Sequence, residues 1–89
     1  MTKEKFKFYA DPGHGWLAVR RELIANLGLL EEITPYSYQK GGTVYLEEDQ
    51  DAVTFLSVWG ATNGPDSYYV EHKHSNKRSP IRNYEGFKQ

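Results

Sequence analysis

The sequence predicts a small two-layer α+β domain, in which two short helices cover one face of an antiparallel sheet of four to five strands. Segments in which apolar and polar residues alternate are typical of half-buried strands, and two other segments keep the apolar spacing of amphipathic helices. The 89 residues suffice for a single domain over residues 1–89, because typical domains contain about 100–150 residues. The predicted order is β-(β)-α-β-β-α-β, with a strongly curved, barrel-like sheet as the alternative.

The first half of the chain predicts a strand, a turn and a helix. Phenylalanines alternate with lysines over residues 5–10, as in a half-buried strand. The turn sequence Asp-Pro-Gly-His-Gly follows at residues 11–15, and residues 16–19 form either a short second strand or the lead-in to a helix. Apolar residues at helical spacing predict that helix over about residues 20–27, with Gly28 as its left-handed cap.

The middle of the chain predicts a β-hairpin. Two segments rich in aromatic and β-branched residues flank the adjacent glycines Gly41 and Gly42, which supply the positive φ values of a tight turn. If both glycines form the turn, Tyr38 faces Tyr45 across the hairpin. If the turn lies one residue earlier, Tyr36 faces Tyr45 instead.

A second helix and a last strand follow the hairpin. Asp49 or Asp51 is expected to cap the helix, whose apolar residues keep helical spacing up to Gly60, where the helix is expected to end. Residues 67–74 form the last predicted strand. Residues 75–89 are a polar tail that carries a few large apolar side chains, so we expect the tail to dock on the domain.

Composition and motifs exclude several function classes. The 11 Lys+Arg balance 12 Asp+Glu to a formal charge of -1, unlike the strongly basic domains that coat duplex DNA. The absence of cysteine excludes disulfides, thiolate chemistry and cysteine zinc sites. The polar N-terminal segment is unlike a signal peptide, and no apolar run is long enough to predict a membrane span, so we expect a cytoplasmic protein. Without a nucleophile elbow, phosphate loop or dinucleotide fingerprint, we expect neither enzymatic activity nor a cofactor.

An acidic cluster lies between the predicted hairpin and the second helix. Residues 47–66 contain five acidic residues and no Lys or Arg, whereas the segment that follows is basic. We interpret the cluster as a partner-binding surface that mimics nucleic-acid charge and occupies a basic groove on another protein. The alternative is a solvated helix start, where the helix dipole favours carboxylates. The residues of this predicted surface are Glu47, Glu48, Asp49 and Asp51.

Sequestration of a nucleotide is the alternative function. The glycines of the 11–15 turn would let the backbone approach a ligand, while tyrosines would stack on a base and arginines would bind phosphate. Direct nucleic-acid binding through the basic tail is a weaker alternative. The residues predicted for the nucleotide site are His14, Tyr36, Tyr38, Arg78 and Arg82.

Two further residue types have ordinary interpretations. A single-strand-binding surface would carry Lys or Arg among its tyrosines, and only Lys40 is near the central tyrosines in sequence, which favours packing in the core or an interface. His72 and His74 share one face of the last strand and could form a zinc site with His14. Nothing in the sequence brings His14 to that face, so we expect no metal.

Two segments carry a resemblance to known proteins. The stretch FKFYADPGHGWL at residues 6–17, together with YSYQ at 36–39 and YLEED at 45–49, resembles a group of small proteins encoded by tailed phages, prophages and plasmids. The resemblance covers roughly residues 5–56 and implies a mobile-element accessory protein in a bacterial host cytoplasm. With the small size and missing catalytic motifs, it favours stoichiometric binding to a host protein, such as anti-CRISPR-like inhibition of a bacterial defence system.

The predicted hairpin and last strand also favour self-association. The hairpin carries three tyrosines and only one of its faces can point into the core, while an open edge strand invites pairing with another chain. We therefore expect a homodimer with the hairpin or the last strand at the two-fold axis.

Overall fold

The computed structural model describes residues 3–89 and shows a six-stranded sheet with two helices on one face. The strands are β1 (Glu4–Ala10), β2 (Gly15–Arg20), β3 (Tyr38–Lys40), β4 (Thr43–Glu47), β5 (Tyr68–His74) and β6 (Glu85–Gly86). The helices are α1 (Arg21–Asn26) and α2 (Asp51–Asn63), and short 3₁₀ turns occur at Leu30–Glu32 and Pro80–Asn83. The strand order is β5-β1-β2-β4-β3-β6, with β1 parallel to β5 and every other neighbouring pair antiparallel. The α+β class predicted from the sequence is confirmed.

The core lies between the helices and one face of the sheet. Leu17 and Val19 of β2 pair in register with Leu46 and Val44 of β4, so that all four side chains point to the same face. Phe55 of α2 covers this face and is fully buried. Burying a side chain of this size contributes about 1.5–3 kcal/mol to folding. The core therefore rests on the central strands, and the opposite face of the sheet is left for other contacts.

The hairpin forms as one of the predicted alternatives describes. Gly41 and Gly42 form the two-residue turn, and Gly41 has a φ of 61°, in the left-handed region that glycine adopts without strain. Tyr38 consequently faces Tyr45 across the hairpin. Residues 15–20 form a strand rather than a helix lead-in, and the helix occupies Arg21–Asn26, close to the predicted span.

Two details of the predicted sheet are wrong. The sheet is mixed rather than antiparallel, because α2 carries the chain across the sheet and returns it as β5 alongside β1. A helix of this length is the usual connection that brings a strand back parallel. The sheet also has six strands rather than four to five, because part of the tail pairs with β3 as β6.

The second helix differs from its prediction at both ends. It continues through Gly60 to Asn63, since a glycine costs a helix only about 1 kcal/mol relative to alanine. At its start, neither Asp49 nor Asp51 is the cap. Instead the carboxylate of Glu47 accepts hydrogen bonds from the backbone N–H groups of residues 49, 50 and 51, at 2.8, 2.7 and 2.7 Å. The last residue of β4 thus binds the N–H of the first helical residue and those of the two residues before it.

The tail packs back against the sheet. Ile81 and Phe87 are buried, and the backbone N–H of Phe87 donates to the carbonyl of Ser37 at 2.8 Å. This return path crosses the sheet face opposite the helices. It brings Ser79 and Arg82 beside the turn between β1 and β2 and places Tyr84 against Tyr45. Among residues 3–89, neither helix has the length and apolar character needed to cross a bilayer.

Candidate functional site

The fold gathers most residues of both predicted sets into one groove of about 380 Å³. The groove lies between the β1–β2 turn, the start of β3 and the connection from β4 to α2. Residues predicted for a nucleotide site and residues predicted for a partner surface therefore share one location. The predicted residues that line it are His14, Tyr36, Tyr38, Glu47, Glu48, Asp49 and Arg82.

An ion pair between Asp11 and Arg82 anchors one wall of the groove. The guanidinium donates through Nε to Oδ2 at 2.6 Å and through Nη2 to Oδ1 at 2.9 Å, which is the bidentate geometry favoured by arginine and carboxylate. The same carboxylate accepts the backbone N–H groups of Gly13, His14 and Ser79, each at 2.9 Å. Asp11 therefore ties its own turn to the tail.

The electrostatics of this pair follow from its geometry. The side-chain hydrogen bonds from Arg82, followed by the backbone hydrogen bond from Ser79, hold the pKa of the Asp11 carboxyl well below its usual range. The carboxylate in turn raises the pKa of Arg82. Both groups stay charged and compensate each other, so Arg82 brings little net positive charge to the groove.

The glycines of the turn are required by close packing within the chain. A Cβ added to Gly13 would lie 2.6 Å from Nη2 of Arg82, and one added to Gly15 would overlap the ring of Phe8. Packing within the chain therefore accounts for these glycines without the approach of a ligand to the backbone, which the sequence had suggested. Their place is occupied by side chains of the same chain.

Aromatic rings form the floor and rim of the groove. Trp16 is buried beneath it, with the Arg82 guanidinium 5.6 Å from its ring centroid and the ring of Tyr38 at 6.2 Å. Tyr36 stands at the rim with 78% of its surface exposed, although tyrosines usually bury much of their ring. An exposed ring beside a groove is available for a partner.

Two of the four predicted acidic residues are committed to internal structure. Asp51 is fully buried, and its Oδ2 accepts hydrogen bonds from the backbone N–H and hydroxyl of Thr34, at 3.0 and 2.6 Å, and from the hydroxyl of Ser37 at 2.5 Å. Its predicted role in partner contact is wrong, because these donors draw it inward. The carboxylate of Glu47 lines the groove but already caps α2.

The remaining two acidic residues give the groove its charge. Glu48 and Asp49 are exposed, and neither forms an ion pair with another residue in the part of the chain that the structure describes. Since Arg82 is neutralised by Asp11, the lining is anionic. Such a lining favours a cationic group and disfavours phosphate.

Some predicted residues lie elsewhere. Arg78 does not line the groove, since it is exposed in the loop after β5, and Arg82 takes the position beside the turn. His72 and His74 belong to β5, whereas His14 is in the β1–β2 turn. Over residues 3–89, no three His, Asp or Glu side chains are grouped so that they could hold a metal ion.

The sequence does not indicate which residue holds Arg82 in this site. Asp11 and Arg82 are 71 positions apart in the chain, and no pattern in the sequence links them. Trp16 also shapes the site, and its burial results from the tail that crosses above it, which is a contact between distant parts of the chain. Comparison of the chain with protein-family models, with curated proteins and with solved structures finds no match.

Proposed function

We propose that this protein acts stoichiometrically, by binding another protein through the anionic groove. The groove would receive a Lys or Arg side chain of the partner, with its charge against Glu48 and Asp49 and its stem against Tyr36 and Tyr38. The observation that supports this is the position of an exposed tyrosine beside two unpaired carboxylates, where the nearest cation is already neutralised. A cation held by both a carboxylate and an aromatic face is a favourable pair when partly desolvated.

The anionic lining of the groove suits a partner protein that itself binds nucleic acid. A protein that handles nucleic acid presents Lys and Arg in a groove of its own, and the exposed carboxylates of this chain would occupy such a groove in place of phosphates. The resemblance to phage and plasmid proteins would make that partner a host protein, the setting a bacterial cytoplasm and the effect inhibition of a defence system. These are parts of the proposal.

Affinity capture from a bacterial lysate tests the groove. The tagged protein is compared with the variant Glu48→Lys/Asp49→Lys, which reverses the two free charges. The matched control is Glu31→Lys/Glu32→Lys, which reverses two adjacent exposed acidic residues in the 3₁₀ turn after α1. The proposal predicts a captured host protein whose apparent affinity falls at least about tenfold in the groove variant, because like charges then face each other.

The outcomes separate specific from nonspecific capture. The control variant has the same total charge as the groove variant, so it should retain the partner at nearly the affinity of the unmodified chain. Equal loss in both variants would show that only net charge matters, and would overturn the proposal. Failure of the unmodified chain to enrich any host protein would also overturn it.

Nucleotide sequestration is the weaker candidate. His14, Tyr36, Tyr38 and Arg82 do lie together, as that hypothesis requires. However, Glu48 and Asp49 would repel a phosphate group, and Arg82 is bound to Asp11. A thermal-shift screen with cyclic and ADP-ribose-type nucleotides would favour this candidate only if the shift disappears in Arg82→Ala.

We also propose a homodimer that forms through β5. The sequence left two places for the two-fold axis, but β6 covers the hairpin strand β3, whereas β5 lies at the edge of the sheet. This strand has seven residues, and its backbone groups on the open side can pair with a second copy. The dimer therefore uses β5, the last strand predicted from the sequence, rather than the hairpin.

A further inference from the structure

The sheet has a second face, opposite the helices, that the groove occupies only at one end. Strand register places Lys5, Lys7 and Tyr9 of β1 on this face, and the residues that pair with Lys5 and Tyr9 in β5 are Tyr69 and Lys73. Tyr45 of β4 reaches the same face through its pairing with Ala18, which also pairs with Lys7. We refer to these residues together with Tyr84 as the open sheet face: Lys5, Lys7, Tyr9, Tyr45, Tyr69, Lys73 and Tyr84.

Aromatic rings form a continuous row on the open sheet face. The ring of Tyr45 lies 6.4 Å from that of Tyr9 and 5.1 Å from that of Tyr84, measured between centroids. All three rings are half-buried, and Tyr69, nearer the sheet edge, is 50% exposed. Tyr9, Tyr45 and Tyr84 also line a cavity of about 260 Å³ whose polar wall includes Lys73. Burial, together with the neighbouring Tyr84 and Tyr9, raises the pKa of Tyr45, so the ring of Tyr45 stays neutral.

The same face carries positive charge. On β1 and β5, three lysines at positions 5, 7 and 73 accompany the acidic residue Glu71, which lies 3.8 Å from the ammonium of Lys5 and 3.4 Å from that of Lys73. The hydrogen bond from Lys73, followed by the charge of Lys5, lowers the pKa of Glu71. Lys7 is exposed and has no ion-pair partner among residues 3–89. An anion that approaches this face therefore meets cations that internal pairing does not fully neutralise.

We propose that the open sheet face binds single-stranded nucleic acid. Bases would stack on the rings of Tyr9, Tyr45 and Tyr69, while the backbone phosphates contact Lys5, Lys7 and Lys73. Every base has a π face, so this arrangement requires no particular sequence. A duplex keeps its bases stacked on each other and cannot use the rings, which is why the proposal commits to a single strand. The face differs from the groove in position and in sign of charge, so the proposal is independent of protein binding.

Fluorescence anisotropy with a labelled oligothymidylate of about 12 nucleotides tests the proposal, since related surfaces cover roughly 4–16 nucleotides. Affinity should fall with salt between about 50 and 200 mM with a logarithmic slope near -2, because each of three lysines displaces about 0.7 counterion from a single strand. Lys7→Glu should weaken binding at least about fivefold and reduce the slope. Tyr69→Ala should weaken binding about tenfold and leave the slope unchanged, because stacking is not electrostatic.

The matched control is Lys88→Glu, the same charge change beyond β6 at the opposite edge of the sheet. It should alter affinity less than about twofold, since it adds the same net charge away from the lysines of β1 and β5. Lys7, Tyr69 and Lys88 are all exposed, so the variants should fold, as circular dichroism can verify. No rise in anisotropy at low salt would overturn the proposal, as would equal losses in Lys7→Glu and Lys88→Glu. Equally tight binding of a duplex would also overturn it, because stacking would then play no part.

Discussion

Replacement of Ser37 by alanine should destabilise the protein, because Ser37 lies where three elements that form the groove meet. Ser37 is fully buried just before β3. Its hydroxyl donates to Oδ2 of Asp51 at the start of α2 and accepts the backbone N–H of Glu47 at the end of β4, at 3.0 Å. One side chain thus connects the strand that carries Tyr38, the residue that caps α2 and the first turn of that helix.

The expected magnitude follows from these two hydrogen bonds. A hydrogen bond to a charged acceptor contributes about 1.5–3 kcal/mol, and a buried N–H left without a partner costs about 1–3 kcal/mol. The two losses are not fully additive, because Asp51 keeps both hydrogen bonds from Thr34. We therefore expect Ser37→Ala to lower the free energy of unfolding by about 2–4 kcal/mol. That loss is large, since a chain of this length is stable by only about 4–13 kcal/mol.

Urea denaturation followed by tryptophan fluorescence measures this change. With an m-value of about 1–1.5 kcal/mol/M, the midpoint should fall by about 2 M. Ser57→Ala is the matched control, because Ser57 is exposed on α2 and alanine there should be neutral or stabilising by a few tenths of a kcal/mol. A Ser37→Ala midpoint within about 0.5 M of the unmodified protein would refute the reasoning, because the Ser37 hydroxyl would then not hold the three elements together.

Two further predictions concern the Asp11 ion pair and the assembly state. The pKa of Asp11 is lower in the folded chain than the value near 3.9 expected when unfolded, so its stabilisation is complete above about pH 5 and is lost as the pH falls through the acid range. Asp11→Asn should therefore lower the melting temperature at pH 7 and flatten its acid dependence, and a variant that keeps the full acid dependence would contradict this assignment. Light scattering at tens of micromolar should give a mass of about twice the 10.3 kDa of one chain. The mass should fall toward that of one chain in Val70→Pro, which places a proline in the edge strand β5. A monomeric mass for the unmodified protein would refute the dimer.

Local signals in the sequence predict the local parts of the fold. The adjacent glycines Gly41 and Gly42 predict the hairpin turn, and the observed pairing of Tyr38 with Tyr45 is one of the two alternatives that they allow. Apolar spacing predicts both helices to within a few residues. These features depend on residues close in the chain, so their physical causes can be read directly from neighbouring positions.

Long-range pairing is what the sequence does not reveal. The parallel register of β1 and β5 brings Lys73 beside Tyr9, although the two residues are far apart in the sequence and no pattern there links them. Asp51 was expected at the surface because helix starts favour carboxylates, but buried donors from Thr34 and Ser37 satisfy it inside. In each case the decisive partner lies on another element, and only the folded topology shows where it is.

The topology also explains why a formal charge of -1 is a poor guide to the charge of the individual surfaces. The segment from Ser79 to Tyr84 crosses the sheet face opposite the helices, with Arg82 against Trp16 on the groove side and Tyr84 against Tyr45 on the other. Glu48 and Asp49 lie on the groove side, and the lysines of β1 and β5 lie beyond Tyr45. Because opposite charges are separated by this segment rather than mixed, each surface keeps its own sign, and the near-zero sum conceals two surfaces suited to partners of opposite charge.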